Sequence, residues 1–247
     1  GISHPEIKDF IHMKDDDKTA QNFNISIAIT DDFMKAVEND ENWDLIVPQD
    51  SEAKDAGTII ETVKARELWQ DIISSAWKTG DPGLYFIDEA NRTNPTPHIG
   101  NLDSTNPCGE VPLLANEACN LGSIDLGKFI KTDEDGNTSF DFQELESVSR
   151  TAARFLDDVV SINQFPTTKV KEAVDLTRKT GLGVMGWHDC LIRLGIDYDS
   201  EEALTLGSDV MQCINDAARD VSINLAKDRG AYPGCQATEI DPNPIRI

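Results

Sequence analysis

Basic residues are scarce in this sequence: Lys and Arg total 22 against 45 Asp and Glu in 247 residues, a formal charge of -23. Proteins that track nucleic acid through its phosphates carry the opposite surplus, so a generic polyanion-binding role is excluded. Cysteine is sparse too, with five residues at 108, 119, 190, 213 and 235 and no CxxC pair. An odd, unpaired set of this kind builds neither a disulfide framework nor a zinc ribbon, and no metal site is expected. One or two working thiols in a reducing cytoplasm fit better. No apolar run approaches the roughly 18 residues of a membrane span, and no signal peptide is visible. An initiator Met is lacking, and the last residues, Asn243-Pro244-Ile245-Arg246-Ile247, form no closing helix. The chain is therefore expected to be a piece of something larger.

The acidic residues are spread along the chain and not gathered in a tail. That pattern predicts a solvated, salt-tolerant surface of the halophile kind, with a merely acidic mesophilic surface as the alternative.

Residue patterning predicts a mixed α/β chain with a helix-rich C-terminal half. A helix starts at His4-Pro5-Glu6-Ile7, and Asp15-Asp16-Asp17 breaks it as a solvated turn. Phe23, Ile25, Ile27 and Ile29 alternate along a strand whose other face, Asn24 and Ser26, faces either a cavity or solvent. Asp31 or Asp32 caps a short helix around Phe33 to Val37. Residues 38–57 read as acidic loop, Val63 to Trp77 as a helix, Leu84 to Ile87 as a buried strand and Asn91 to Asn101 as loop. Beyond a polar turn at 132–138, Asp141 with Glu144 resembles a capping box opening a long helix that Pro166 ends. Further helices are expected over Thr168 to Lys179, Trp187 to Leu194, and from a Ser200 cap to about Asp228. Gly181-Leu182-Gly183-Val184-Met185-Gly186 has GxGxxG spacing but follows a helix. It reads as a tight packing turn in preference to a nucleotide-phosphate loop.

The stretch most in need of a chemical explanation is Ser104-Thr105-Asn106-Pro107-Cys108-Gly109-Glu110. Were it extended, Asn106, Cys108 and Glu110 at alternate positions would present an amide, a thiol and a carboxylate to one ligand. A nucleophilic Cys normally wants a His partner, and none of the four histidines lies in such a setting. A neighbouring carboxylate opposes thiolate formation by like-charge repulsion, yet costs nothing if the sulfur works as a neutral radical. Hydrogen-atom chemistry is favoured. Cys190 and Cys213 sit in apolar helical stretches and read as core fillers, and Cys235 has no assignable role.

That run, followed by Glu117-Ala118-Cys119-Asn120-Leu121-Gly122-Ser123-Ile124, resembles the finger-loop region of ribonucleotide reductase large subunits. The NPCGE form and the spacing of eleven to the second cysteine are most similar to the adenosylcobalamin-dependent branch. Ser3 to Ile7, Phe23 to Ser26, Gly80-Asp81-Pro82-Gly83, Arg154-Phe155-Leu156-Asp157 and Thr177 to Gly186 resemble the same family, in order along the chain.

The resemblance implies that residues 1–247 are a central, incomplete segment of the ten-stranded α/β barrel, with the reactive finger loop inside it. It implies a thiyl radical at Cys108, a general base at Glu110, a ribose-holding amide at Asn106 and a reducing thiol at Cys119 whose partner lies upstream. It also implies adenosylcobalamin as cofactor and a ribonucleotide as substrate, with a ribonucleoside-diphosphate reductase as the expected enzyme although the residues leave diphosphate against triphosphate open. The implied partners are the remaining reductase segments and a thioredoxin-like reductant, in a cytoplasmic homo-oligomer with no nucleic-acid or membrane partner; the segment alone is expected to be inactive. Two alternatives stay open: the same enzyme with a di-iron radical source, and a non-catalytic nucleotide-binding or assembly fragment of the same fold.

Overall fold

The computed structural model describes residues 1–16, 18–49, 51–236 and 245–247. They divide into two compact units, Gly1–Ala115 and Asn116–Ile247. Among the described residues the strands form five separate two-stranded sheets and no closed barrel.

The first unit is organised around a parallel strand pair, β1 (Ser26–Ile29) and β4 (Gly83–Phe86), in the register Ser26↔Gly83 to Ile29↔Phe86. Parallel neighbours need a long crossover. Here it consists of α2 (Asp31–Glu38), the antiparallel pair β2 (Asn42–Ile46) and β3 (Ile59–Lys64), and α3 (Ala65–Thr79). Ile27 and Ile29 of β1 are buried with Phe33, Leu45, Leu68 and Ile72, and with Ile7 and Ile11 of α1 (Ile7–Ile11). Each side chain buried in this way contributes roughly 1.5–3 kcal/mol. The strand is shorter than its alternation suggests, because Phe23 lies outside it and is exposed. Thr30, and neither Asp31 nor Asp32, caps α2, its hydroxyl accepting the Phe33 N–H at 3.2 Å. The stretch expected to be acidic loop contains β2, whose Trp43 packs edge-on against Phe33 with ring centroids 5.2 Å apart. α4 (Ile87–Arg92) opens on Ile87, expected as the last residue of a strand, and runs to Asn91 and Arg92, where loop was expected. Asp15 and Asp16 lie on a turn as expected, with Asp16 exposed; Asp15 in addition accepts a hydrogen bond from Ser75 of α3 at 3.0 Å, and Asp17 lies outside the described residues.

The second unit repeats the parallel motif with β7 (Asn120–Asp125) and β10 (Thr180–Met185), registered from Asn120↔Thr180 to Asp125↔Met185. The glycine-rich run is therefore a strand and not a turn. Small residues suit it because the helix packed on β7 comes close: a Cβ on Gly122 would already touch Leu156 and Leu182 at 3.7 Å. Gly186, at φ +71°, then turns the chain into α7 (Trp187–Leu194), and a Cβ there would meet the Asp125 carboxylate at 2.4 Å. The crossover runs through a 3-10 turn (Leu126–Phe129), the hairpin β8 (Ile130–Thr132) and β9 (Thr138–Phe140), α5 (Phe142–Ile162) and α6 (Thr168–Thr177). α5 ends at Ile162, before Pro166, and α6 ends on Arg178 in the left-handed conformation. α8 (Glu201–Arg229) packs along α5. Local caps set the helix starts: Asp141 accepts from Glu144 N at 3.2 Å and Ser200 from Ala203 N at 3.1 Å.

Most ion pairs among the described residues lie at the surface, where each is worth little. With acids outnumbering bases two to one, the salt-adapted reading expects mutual repulsion to outweigh them. Raising salt from 0.1 M to 1 M shortens the screening length from about 10 Å to about 3 Å. The thermal midpoint is expected to rise over that range in a differential scanning fluorimetry series. A falling midpoint would mean that attractive pairs dominate and would remove the salt-adapted reading.

Candidate active site

The cysteine-bearing loop is the tip of a small antiparallel hairpin, β5 (Ser104–Thr105) against β6 (Pro112–Leu113), with Ser104 opposite Leu113 and Thr105 opposite Pro112. One more rung is made partly by a side chain. Asn106 N donates to Val111 O at 3.2 Å, and Val111 N donates back to Asn106 Oδ1 at 3.0 Å. Beyond that rung, Gly109 N donates to Asn106 O at 3.0 Å and closes a β-turn with Pro107 and Cys108 at its centre. Proline presets the φ of the second turn position, and Gly109, at φ +88°, takes the left-handed conformation that lets the chain rejoin the ladder.

This geometry corrects the extended arrangement expected from the sequence. Turn residues do not alternate faces, so Asn106, Cys108 and Glu110 share one loop without sharing one strand face. The turn chemistry of Pro107 and Gly109 prevails over the extended alternative. Asn106 is consequently half committed: its carbonyl oxygen holds the loop, and its Nδ2 is the atom left to meet a ligand.

Three anchors hold the loop on its unit. At the base, Leu102 is 4% exposed, and its carbonyl accepts from Tyr85 Oη at 3.0 Å and Asn91 Nδ2 at 2.9 Å. Leu102 N donates to Asn91 Oδ1 at 2.8 Å. On the return strand Leu113 and Leu114 are buried. At the tip, Asn24 Nδ2 donates to Pro107 O at 2.7 Å. Cys108 and Glu110 are exposed. Neither their thiol nor their carboxylate is tied up by a hydrogen bond among the described residues. A rigid base with an open, chemically armed tip suits chemistry on an approaching ligand.

Cys119 belongs to the second unit, partly buried immediately before β7. Its segment is stapled on both sides. Glu117, its side chain fully buried, pairs with Lys179 Nζ at 2.6 Å, and Asn120 Oδ1 accepts from Asn163 Nδ2 at 3.3 Å. Cys108, Cys190, Cys213 and Cys235 are free thiols. Cys190 is fully buried in the core with Leu126, Phe129 and Leu145, where burial pushes its thiol pKa up. Cys213 packs against the same core, and burial, then Glu146 and Asp216, raise its pKa. Both are packing residues, as their apolar settings in sequence suggested.

Sequence reasoning missed Tyr85, Asn91 and Lys179 as supports, and it saw in Asn24 only a strand face. Their partners are far away in the chain, and no local pattern marks them. Among the described residues no group of three or more His, Cys, Asp or Glu is arranged to hold a metal ion. No helix among them is long and apolar enough to cross a membrane.

Comparison with known proteins supplies the family context. The sequence profile of the ribonucleotide reductase barrel domain matches residues 1–243. The chain is 47% identical over 246 residues to a vitamin B12-dependent ribonucleoside-diphosphate reductase of Thermoplasma acidophilum, covering 99% of this chain and 31% of that protein. It is 44% identical over 233 residues to the protein of the same name from Mycobacterium tuberculosis, covering 94% and 32%. A ribonucleoside-diphosphate reductase subunit alpha of Chlamydia muridarum is 31% identical over 269 residues, covering 97% and 25%. The chain thus spans about a third of the length of the first two relatives.

Proposed function

Because this chain belongs to the ribonucleotide reductase barrel-domain family, we propose that it is the segment of a B12-dependent ribonucleoside-diphosphate reductase that carries the reactive sulfur. The observation that carries the proposal is the exposed Cys108 at the centre of an anchored turn, with the Asn106 amide and the Glu110 carboxylate on the same loop.

In this reading a sulfur radical at Cys108 takes the hydrogen from C3′ of the ribose, so a C–H bond breaks as an S–H bond forms. The two bonds are of similar strength, which keeps the step near thermoneutral and reversible. Glu110 accepts the 3′-hydroxyl proton, and the C2′–O bond breaks, the 2′-oxygen leaving as water with a proton supplied by the reducing thiol pair. Asn106 Nδ2 donates to the ribose and holds the reacting atoms in register. Cys119 and a partner thiol upstream give two electrons and two protons and end as a disulfide. One proton completes the water and the other hydrogen forms the new C2′–H bond. Glu110 then returns its proton to the 3′-oxygen, and Cys108 returns its hydrogen to C3′. A thioredoxin-like reductant then restores the dithiol. The complete enzyme is cytoplasmic, assembles from this segment with the remaining ones, and acts as a homo-oligomer.

The B12 group fits what the loop offers in one respect: Cys108 is open at the turn tip, so a bulky group can come up to its sulfur. Bound adenosylcobalamin supplies the radical equivalent that converts the Cys108 thiol to its reactive form.

Glu110→Gln in the complete reductase, assayed with adenosylcobalamin and a ribonucleoside diphosphate, is expected to lower kcat by about 10²–10⁴ with little change in KM. An unchanged kcat would remove Glu110 from the mechanism. Turnover of the parent enzyme that needs no added adenosylcobalamin would favour the di-iron radical source instead.

A further inference from the structure

Taking Cys108 as the reactive sulfur, we infer that Asn24 is a positioning residue that sets the direction of that sulfur by locking one peptide plane of the turn. Asn24 lies just ahead of β1, 83 residues before the atom it holds. Its Nδ2 donates to the carbonyl oxygen of Pro107 at 2.7 Å. That carbonyl belongs to the Pro107–Cys108 peptide, the central peptide of the turn closed by Gly109 N and Asn106 O.

The central peptide is the one element of a β-turn that has two stable settings. Type I and type II turns share their ends and differ by a flip of this peptide, and proline at the second position is compatible with both. The flip reverses the sign of φ at the third position, here Cys108, and swings its Cα–Cβ bond with it. Cys108 is not among the described non-glycine residues with positive φ, so the turn is in the setting with the type I sign. A left-handed cysteine is unfavourable in itself, but the exposed tip offers little packing to resist the flip. The Asn24 amide holds the carbonyl from outside the loop. It is itself fixed by a rigid neighbour: Ile25 O accepts the Gly83 N–H at 2.9 Å, tying the residue after Asn24 to β4. Hydrogen abstraction is sensitive to the line between sulfur, hydrogen and carbon, so a misdirected sulfur loses rate while substrate still binds.

The test uses three variants of Asn24 in the complete reductase. Asn24→Leu removes the donor at nearly constant size, Asn24→Asp keeps the shape but offers only acceptors, and Asn24→Gln keeps the donor. Leu and Asp are expected to lower kcat 10–100-fold with KM for the ribonucleotide within about twofold. Gln is expected to recover a substantial part of the loss, and thermal midpoints should stay near that of the parent. Unchanged kcat in the Leu variant overturns the inference. So does a loss confined to KM, which would make Asn24 a substrate contact, or an Asp variant better than Gln, which would make shape the requirement. Cys108→Ser run in parallel separates the two levels. If that variant keeps its turnover, the functional reading itself fails; if it is dead while Asn24→Leu is normal, only the role of Asn24 is lost.

Discussion

Cys108→Ser in the complete reductase is expected to abolish ribonucleotide reduction, with kcat lower by at least about 10⁴-fold, while the fold and substrate binding stay intact. The size follows from bond strengths. A thiol hydrogen and an activated ribose C–H are near-equal in strength, so sulfur both gives up and regains its hydrogen cheaply. A hydroxyl hydrogen is held far more tightly, and the seryl side chain cannot be brought to the reactive state by the same radical source. No residue next to it substitutes, since Asn106 and Glu110 carry no group with a comparably weak bond to hydrogen. The fold is spared because the thiol is exposed and supports nothing: the turn is closed by Asn106 O with Gly109 N and Asn106 Oδ1 with Val111 N. Surface changes away from caps and networks move stability by no more than about 0.5 kcal/mol. Steady-state turnover together with equilibrium binding of the nucleotide checks both halves. Turnover within tenfold of the parent would return the chain to the alternative of a non-catalytic binding or assembly segment.

What could be read from the residues, and what could not, divides by the distance over which the determining contacts act. Ser200 and Asp141 cap their helices through N–H groups three residues on, and the boundaries inferred from them hold to a residue. Cys108 and its neighbours stand out as residue types, because an amide, a thiol and a carboxylate have no reason to recur in a core segment. Their geometry follows the turn signal of Pro107 and Gly109 and not the alternation of their side chains. β2 carried a signal too, in the alternation of Trp43 and Leu45 with Asn42 and Asp44, but its acidity and short length made it resemble loop. The strand nature of 180–185 was out of reach. Glycine weakens a strand on its own, and only the partner β7, about 60 residues earlier, makes the run a ladder. The amide of Asn24 is the extreme case, because its worth depends on a carbonyl in another part of the unit.

The largest structural effect is expected at Asp157, on α5. Its side chain is fully buried and touches three guanidinium groups: Arg178 at 2.6 Å, Arg229 at 2.7 Å and Arg246 at 3.0 Å. Arg178 is itself only 7% exposed and sits left-handed at the end of α6, also donating to Asp157 O and Ser161 Oγ at 3.0 Å. One carboxylate thus joins α5, the exit of α6, the last turn of α8 and residue 246. Burial by itself would raise the Asp157 pKa, but hydrogen bonding and charge from Arg178, then Arg246, outweigh it and hold the carboxyl below its ordinary value. A folded pKa below the unfolded one means that the stabilisation is fully present above about pH 4. It is lost as the pH falls through the lower, folded value. Asp157→Ala leaves the Arg178 cation buried without its counter-charge, a change that costs about 3–5 kcal/mol. In a domain of this size the thermal midpoint should fall by roughly 6–20 °C. Asp157→Asn keeps the shape and loses the charge, so it should also be severe, and both variants should show a flattened dependence of stability on acid. Hydrogen exchange adds the location: protection should drop together in 142–162, 168–177 and 201–229, the three helices that the carboxylate joins. A drop confined to α5 would mean that the arginines hold their places by packing alone, and the ionic junction would then not be what ties these helices together.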